Sequence, residues 1–201
     1  MINLSSPSYF HLQHRFLQFV AAMALMVNLV AGCRAVVQFE DIYTKVSEPT
    51  LQAGNEIPLP HDPTILTVTG KIGAANDNHR IVMDRVTIER VGEVEYSAND
   101  PFEERPVLYR GVLMRDLLKL WQVDPNAQSV HLVALNDYVI DIPITDFQNY
   151  PVLFALQADG VYMQPDYRGP AMLVYPVDHY EFDALSVQAK WIWQIKAIDV
   201  Q

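Results

Sequence analysis

The sequence predicts an α+β fold built from mixed β-sheets with few helices. Short apolar segments rich in β-branched residues recur after residue 63, and turn-forming residues separate them. Only one segment has strong helical periodicity. The spacing leaves little room for repeated strand–helix–strand units, so we expect short strands around one firm helix.

Residues 1–32 have the order of features found in a secretory signal peptide. Arg15 is the only formal charge before an apolar run over 16–30, and the small residues Ala31 and Gly32 follow. The run is shorter than the roughly 20 residues that a membrane-spanning helix needs, which favours cleavage over a permanent anchor. We therefore expect a periplasmic protein, either soluble or lipid-anchored.

The chain has one cysteine, Cys33, and it lies at the end of this segment. The sequence 29–33 resembles a lipoprotein box, in which the cysteine is lipidated and tethers the protein to a membrane. Ordinary cleavage at a small-residue site, such as Ala31-Gly32-Cys33 or just after Ala35, is the alternative, and the residues leave both open. In either case the domain has no cysteine pair, so neither a disulfide framework nor a cysteine-based metal cluster is expected.

The charge balance argues against nucleic acid as a partner. The chain has 14 Lys and Arg against 24 Asp and Glu, which gives a net charge of −10. Removal of residues 1–32 takes away Arg15 and no acid, so the charge becomes −11. Such a surface repels a phosphate backbone, and the sequence contains no basic stripe to overcome the repulsion.

The rest of the chain divides into a proline-rich extended lead-in, residues 33–63, and a domain over residues 64–201. Asn99 to Arg105 is predicted to be a polar loop, and Asp159-Gly160 a tight turn. An apolar segment over 150–156 has some helical character at its start. Strands are predicted over 64–69, once or twice within 81–94, and over 129–135, 138–144, 170–176 and 191–200.

The predicted helix runs from Gly111 to Trp121. Leu113, Leu117 and Leu120 are spaced to fall on one helical stripe. A second apolar stripe begins one residue later, so the buried face is wide. We expect a core helix, because a helix that lies on a membrane surface would be more basic.

Familiar catalytic patterns are missing from the sequence. It contains no Gly-x-Ser-x-Gly, no glycine-rich phosphate loop and no His-Glu-x-x-His, and its histidines lack metal-ligand spacing. The second half instead concentrates aromatic and planar polar residues, which suit a flat heteroaromatic ligand. Simple core packing is the other interpretation, and alternation along a strand would put Trp191 and Trp193 on one face. These residues are Asp137, Tyr138, Tyr162, Tyr167, Arg168, Tyr175, Trp191 and Trp193.

Five segments of the chain carry a further signal when they are taken in order, namely 64–70, 109–118, 135–143, 168–176 and 191–195. Each segment alone is a weak signal, and the ordered set is more specific. Together they resemble the molybdopterin-binding domain of the sulfite oxidase fold. The resemblance covers roughly residues 60–200 and implies that fold for this chain.

The sequence departs from this family at the metal ligand. Catalytic members of the family carry a cysteine that binds molybdenum, in a Cys-x-Gly-Asn type segment before the helix. The corresponding region, 83–100, has no cysteine. Because a soft thiolate is the protein's anchor for the metal, no molybdenum is expected here. The glycine of the family's Asp-Gly-Tyr pattern is also missing at Asn136-Asp137-Tyr138.

With its signal-like start, this fold and no such cysteine, the chain resembles the small exported PruR-type pterin-binding proteins. The resemblance implies a reduced pterin as ligand and, as partner, the periplasmic domain of an inner-membrane protein that controls cyclic di-GMP. It implies a non-catalytic regulator, whereas a molybdenum-cofactor oxidoreductase or its subunit is the alternative. We expect Tyr138, Arg168 and Trp193 at or beside the pterin, with Asp137, Tyr167 and Trp191 as companions.

Overall fold

The computed structural model describes residues 39–201. The predicted signal peptide, residues 1–32, and the candidate lipidation site Cys33 lie outside the described residues. Within the described range, no helix has both the length and the apolar character needed to cross a membrane. The elements after a 3-10 helix at Phe39–Asp41 are β1 (Thr44–Lys45), β2 (Leu66–Gly70), β3 (Ile81–Met83), α1 (Arg85–Glu89), β4 (Glu93–Asp100), β5 (Arg105–Leu113), α2 (Met114–Leu120), β6 (Ser129–Ala134), β7 (Val139–Pro143), α3 (Ile144–Asn149), β8 (Leu153–Ala158), β9 (Val161–Tyr162), β10 (Met172–Val174), α4 (Ala184–Ala189) and β11 (Ile195–Val200).

The strands form two sheets. One has the order β1-β4-β5-β8-β10, with β9 added to β8 through a hairpin, and its pairs are antiparallel. The other has the order β3-β2-β11-β6-β7 and is mixed, because β11 runs parallel to β2 and antiparallel to β6. The predicted α+β class with mixed sheets and few helices is confirmed.

Alternation along β4 shows how the first sheet meets the core. Val94, Tyr96 and Ala98 are buried, whereas the residues between them lie on the outer face. The last inward position of the strand is the acid Asp100, which is 1% exposed. Because alternate side chains of β4 point inward, the carboxylate of Asp100 is buried at the end of the strand, next to the following turn.

The predicted helix begins three residues later than expected. Its first residues, Gly111 to Leu113, are the end of β5, and α2 starts at Met114. A Cβ on Gly111 would lie 2.1 Å from the carbonyl oxygen of Phe154, so this position packs directly against the β8 backbone. Sheet pairing therefore overrides the helical periodicity, while the predicted apolar face of α2 is buried as expected.

Two short helices replace predicted strand or loop. Within 81–94, where one or two strands were expected, α1 separates β3 from β4, and the side chain of Asp84 caps it by accepting a hydrogen bond from Thr87 N at 2.8 Å. α4 is capped in the same way by Asp183. Trp191 and Trp193 precede β11, so the prediction of a strand beginning at residue 191 is wrong there. A five- or six-residue helix is too short for periodicity to reveal.

The described part of the lead-in, residues 39–63, packs onto the domain. β1 pairs with β4, and the side chains of Ile42, Leu51 and Ile57 are buried in the same core. Asp84 joins this segment to α1, because its second carboxylate oxygen accepts hydrogen bonds from His61 N at 2.8 Å and Asp62 N at 3.1 Å. The lead-in therefore contributes to the core of the domain.

Replacement of Asp84 by alanine is expected to lower the free energy of unfolding by about 2–3 kcal/mol, since one side chain caps α1 and holds the lead-in. Burial disfavours its charge, but hydrogen bonds from Thr87, Asp62 and His61 outweigh burial and lower the pKa of Asp84 to about 2. The stabilisation is therefore complete above about pH 4 and is lost as the pH falls through about 2.

Urea denaturation of the Asp84→Ala variant at several pH values measures this contribution. Glu56→Ala is the control, because Glu56 is exposed and makes no side-chain hydrogen bond among the described residues. Equal stability of the two variants at neutral pH would contradict the assignment.

Candidate functional site

Four segments of the chain enclose a small aromatic pocket. The cavity measures about 220 Å³. It lies among the β4–β5 turn, the end of β6 with the turn that follows it, α4, and the segment that precedes β11. We call it the aromatic pocket, and its lining residues are Phe102, Ala134, Asn136, Tyr138, Gln188, Ala189, Trp191 and Trp193.

Trp191 and Trp193 form one side of the aromatic pocket. Trp191 is 1% exposed and meets the ring of Tyr109 edge to face, with centroids 5.9 Å apart. Trp193 is half-buried and meets Phe102 edge to face at 4.8 Å. The Trp191 indole Nε1 is buried and has no hydrogen-bond partner among the described residues. Such a donor leaves about 1–3 kcal/mol of desolvation uncompensated.

A tight turn presents Tyr138 to the pocket. Asp137 has a φ of 63°, which is the left-handed region where glycine and aspartate are favoured. Asp137 stands where the family pattern has glycine, and aspartate is one of the few other residues that adopt this conformation. Tyr138 N donates to the side-chain oxygen of Asn136 at 3.1 Å, and the Asp137 carboxylate accepts from Lys196 Nζ at 2.7 Å. Tyr138 lines the pocket, whereas the Asp137 carboxylate is occupied by a lysine.

Arg168 lies at the centre of a buried polar cluster beside the pocket. Its guanidinium donates to Asp100 and, at 3.3 Å, to the hydroxyl of Tyr109. Tyr109 in turn donates to Asp100. Asp100 and Arg168 are 1% and 7% exposed, so this ion pair is almost completely removed from water. We call Asp100, Tyr109 and Arg168 the buried polar cluster.

Electrostatics fix the protonation of this cluster. Burial favours the neutral form of Asp100, but the hydrogen bonds from Arg168 and Tyr109 prevail and lower its pKa. Burial, then the hydrogen bond to Asp100, raise the pKa of Tyr109 far above its usual range. Burial opposes the charge of Arg168, yet its bond to Asp100 raises the pKa overall. At neutral pH the cluster is therefore a charged pair with a phenol donor, and its members satisfy one another.

The same cluster sets the position of the aromatic walls. The other oxygen of Asp100, Oδ1, accepts from the backbone N–H of Phe102 at 2.7 Å and of Glu103 at 3.0 Å, which orders the turn that carries Phe102. The carbonyl of Arg168 accepts from Gln194 N at 3.0 Å, next to Trp193. The guanidinium carbon of Arg168 also lies 5.5 Å from the Trp193 ring and 5.8 Å from the Phe102 ring.

The structure brings together three of the six predicted site residues, namely Tyr138, Trp191 and Trp193. Arg168 does not line the pocket, although its guanidinium lies near the rings of Phe102 and Trp193. Asp137 faces Lys196, and Tyr167 is 55% exposed with its hydroxyl donating to Glu103. The sequence prediction did not include three residues that line the pocket and two members of the buried polar cluster, namely Phe102, Asn136, Gln188, Asp100 and Tyr109. The alternation of β4 placed Asp100 on the inward face, and that was the one signal in the sequence for the buried cluster.

Residues 101–201, half of the chain, match the family described as oxidoreductase molybdopterin binding domain. The chain belongs to this family. The sulfite oxidase fold predicted from the ordered segments is thereby confirmed, since the described structure is also similar to that of the sulfane dehydrogenase SoxCD from Paracoccus pantotrophus. The TM-score is 0.52 at 16% identity, over 67% of this chain and 37% of that chain. The chain thus spans little more than a third of the SoxCD chain. No curated protein matches it.

The lining of the aromatic pocket of this molybdopterin-binding domain is compatible with the pterin part of such a cofactor. Its aromatic walls and the amides of Asn136 and Gln188 suit a flat ring with polar edges. The described residues contain no group of three or more His, Cys, Asp or Glu placed to hold a metal ion. Residues 39–201 also lack cysteine. Nothing in that range can therefore supply a thiolate ligand.

The Asp100–Arg168 pair is expected to behave as one unit in a double-mutant cycle. Either Asp100→Asn or Arg168→Met alone leaves a buried partner unpaired and should lower the free energy of unfolding by about 3–5 kcal/mol. The double variant should lose clearly less than the sum of the two single losses. Urea denaturation gives the four stabilities. The exposed pair Asp137–Lys196, treated in the same way, should show a coupling below about 1 kcal/mol, and additive losses at Asp100 and Arg168 would contradict the assignment.

Proposed function

We propose that this molybdopterin-binding domain is a periplasmic, non-catalytic regulator that binds a reduced pterin. In this proposal it relays the state of its pocket to the periplasmic domain of an inner-membrane protein that controls cyclic di-GMP, in the manner of PruR-type proteins. The observation that carries the pterin part is the aromatic pocket, which is lined by Phe102, Tyr138, Trp191 and Trp193.

The pocket's size and chemistry support a bare pterin ring. The volume of about 220 Å³ lies below the roughly 300–1,000 Å³ of common ligand pockets. It therefore favours a small bicyclic ring over an extended cofactor. The ring would pack against Tyr138 and Trp193. The side-chain amides of Asn136 and Gln188 offer both donors and acceptors to the polar edge of the ring.

The position of the pocket supports a regulatory role. Phe102 and Tyr138 line it and are 40% and 47% exposed, so they contribute both to the ligand site and to the outer surface. A ring bound against them would change the surface that a partner meets, without any chemical step. The signal-like residues 1–32 and Cys33 support a periplasmic place, soluble or lipid-anchored, where such a partner domain is accessible.

The alternative is a molybdenum-cofactor oxidoreductase or a subunit of one, with the missing thiolate supplied from elsewhere. The family description, which names oxidoreductases, favours it. The two functions differ in metal content: stoichiometric molybdenum in protein purified from its native host would favour the enzyme and overturn the non-catalytic proposal.

Substitution of the pocket-lining tyrosine tests the ligand. Tyr138→Ala should weaken binding of a reduced pterin about five- to tenfold, since it removes one aromatic contact. Tyr167→Ala is a matched control, because Tyr167 is similarly exposed but does not line the pocket, and it should change the Kd less than twofold. Calorimetry measures both. The ligand assignment fails if the unmodified protein shows no saturable binding.

The relay is tested by recovery of membrane proteins on the immobilised protein, with and without a reduced pterin. We expect a partner whose recovery depends on the pterin, and we expect Trp193→Ala to abolish that dependence because it removes one wall of the pocket. Near-ultraviolet circular dichroism and thermal unfolding serve as folding controls. Recovery that is identical with and without pterin would contradict the relay while leaving ligand binding intact.

A further inference from the structure

A second cleft lies between the N-terminal segment and α2. It measures about 380 Å³ and shares no lining residue with the aromatic pocket. Its walls come from residues 40–53, from the turn between α1 and β4, and from the start of α2. We infer that this cleft binds an oxyanion, a phosphate or a carboxylate, that is carried on an apolar body.

The first support is the charge of the cleft. Lys45, Arg115 and Lys119 line it, although the chain as a whole has a net charge of −10. Two acids also line it, and each is paired: Glu40 lies 3.5 Å from Arg115, and Asp116 lies 2.8 Å from Lys119. Lys45 makes neither an ion pair nor a hydrogen bond through its ammonium group within residues 39–201. The cleft therefore has one uncompensated positive charge, on an exposed lysine at its edge.

The second support is the fixed position of Arg115. Its Nη2 donates to the Tyr43 hydroxyl at 3.0 Å, and its guanidinium carbon lies 4.9 Å from the Phe39 ring. The Nε is buried and has no hydrogen-bond partner among the described residues. Asp116 Oδ1 lies 4.0 Å from this Nε, which is too long for a hydrogen bond. The guanidinium is thus held in a fixed position at the cleft, where its positive charge attracts an oxyanion.

The third support is the apolar part of the wall. Leu51 and Leu113 are almost fully buried, and Val91 and Val94 are buried beside them. Ser47 adds a hydroxyl: its oxygen accepts from Glu93 N at 2.9 Å, which leaves its own hydrogen free to donate. A simple inorganic ion would leave the apolar wall unused, so a ligand with both an anionic group and a hydrocarbon or aromatic body fits better.

Phenyl phosphate and benzoate are suitable probes, titrated by calorimetry at low ionic strength into the purified full chain. We expect saturable binding that weakens as salt is added. Arg115→Gln should raise the Kd about tenfold, because a charged hydrogen bond is lost. Lys45→Gln should raise it about threefold, because a nearby charge is lost. Lys71→Gln is the matched control, since Lys71 is also exposed and unpaired within the described range, and it should leave the Kd unchanged.

The outcomes separate cleanly. Absence of saturation with both probes, or equal effects of Lys45→Gln and Lys71→Gln, overturns the site. Arg115 packs on Phe39 and Tyr43, so Arg115→Gln is compared only if its thermal unfolding is unchanged, whereas Lys45 is exposed and Lys45→Gln keeps the test valid in every case. Reduced-pterin binding should be unaffected by Lys45→Gln, so this test stands apart from the proposed function.

Two natural sources could present such an anion, a soluble ester or a phospholipid headgroup. Cosedimentation with vesicles of phosphatidylglycerol, compared with vesicles of phosphatidylcholine, distinguishes them. Selective binding to phosphatidylglycerol that is reduced by Lys45→Gln assigns the headgroup as the source. Binding of phenyl phosphate without vesicle binding assigns a soluble ligand.

Discussion

The carboxylate of Asp100 is the group on which the aromatic pocket depends. One oxygen orders the turn that carries Phe102, and the other receives Arg168 and Tyr109. Arg168, through its own carbonyl, fixes the backbone next to Trp193. A Cβ on the neighbouring Gly169 would lie 2.0 Å from the Met163 carbonyl oxygen, so that segment is also closely packed. A single buried acid thus links two walls of the pocket that are about ninety residues apart in sequence.

A buried charge of this kind is seldom favourable for stability alone. Apolar replacements of similar shape often stabilise a protein as well as a buried ion pair does, because desolvation opposes the attraction of the charges. Its benefit here is positional: the bonds of Asp100 and Arg168 are directional, whereas apolar contacts would leave the Phe102 turn and the Trp193 segment free to shift. The cluster therefore accounts for the order of the pocket more than for the stability of the fold.

Local pattern predicted the sheets well and the junctions poorly. β2, β6 and β7 coincide closely with their predicted segments because alternation and β-branched content are properties of the strand itself. The start of α2 was predicted too early because Gly111 packs against the backbone of Phe154. Phe154 is forty-three residues away in sequence, so a local pattern cannot reveal this contact. For the same reason the sequence predicted a ligand site among the aromatic residues but could not separate Tyr138 and Trp193, which line the pocket, from Arg168 and Tyr167, which do not.

The placement of the indoles gives the protein an optical consequence. The chain has three tryptophans, and two of them, Trp191 and Trp193, line the aromatic pocket. The third, Trp121, is fully buried at the end of α2 and does not line that pocket. A planar ring that absorbs near-ultraviolet light would quench tryptophan emission by energy transfer, because Trp191 and Trp193 would lie against it. The occupancy of this domain should thus be visible in its own fluorescence, with no label attached.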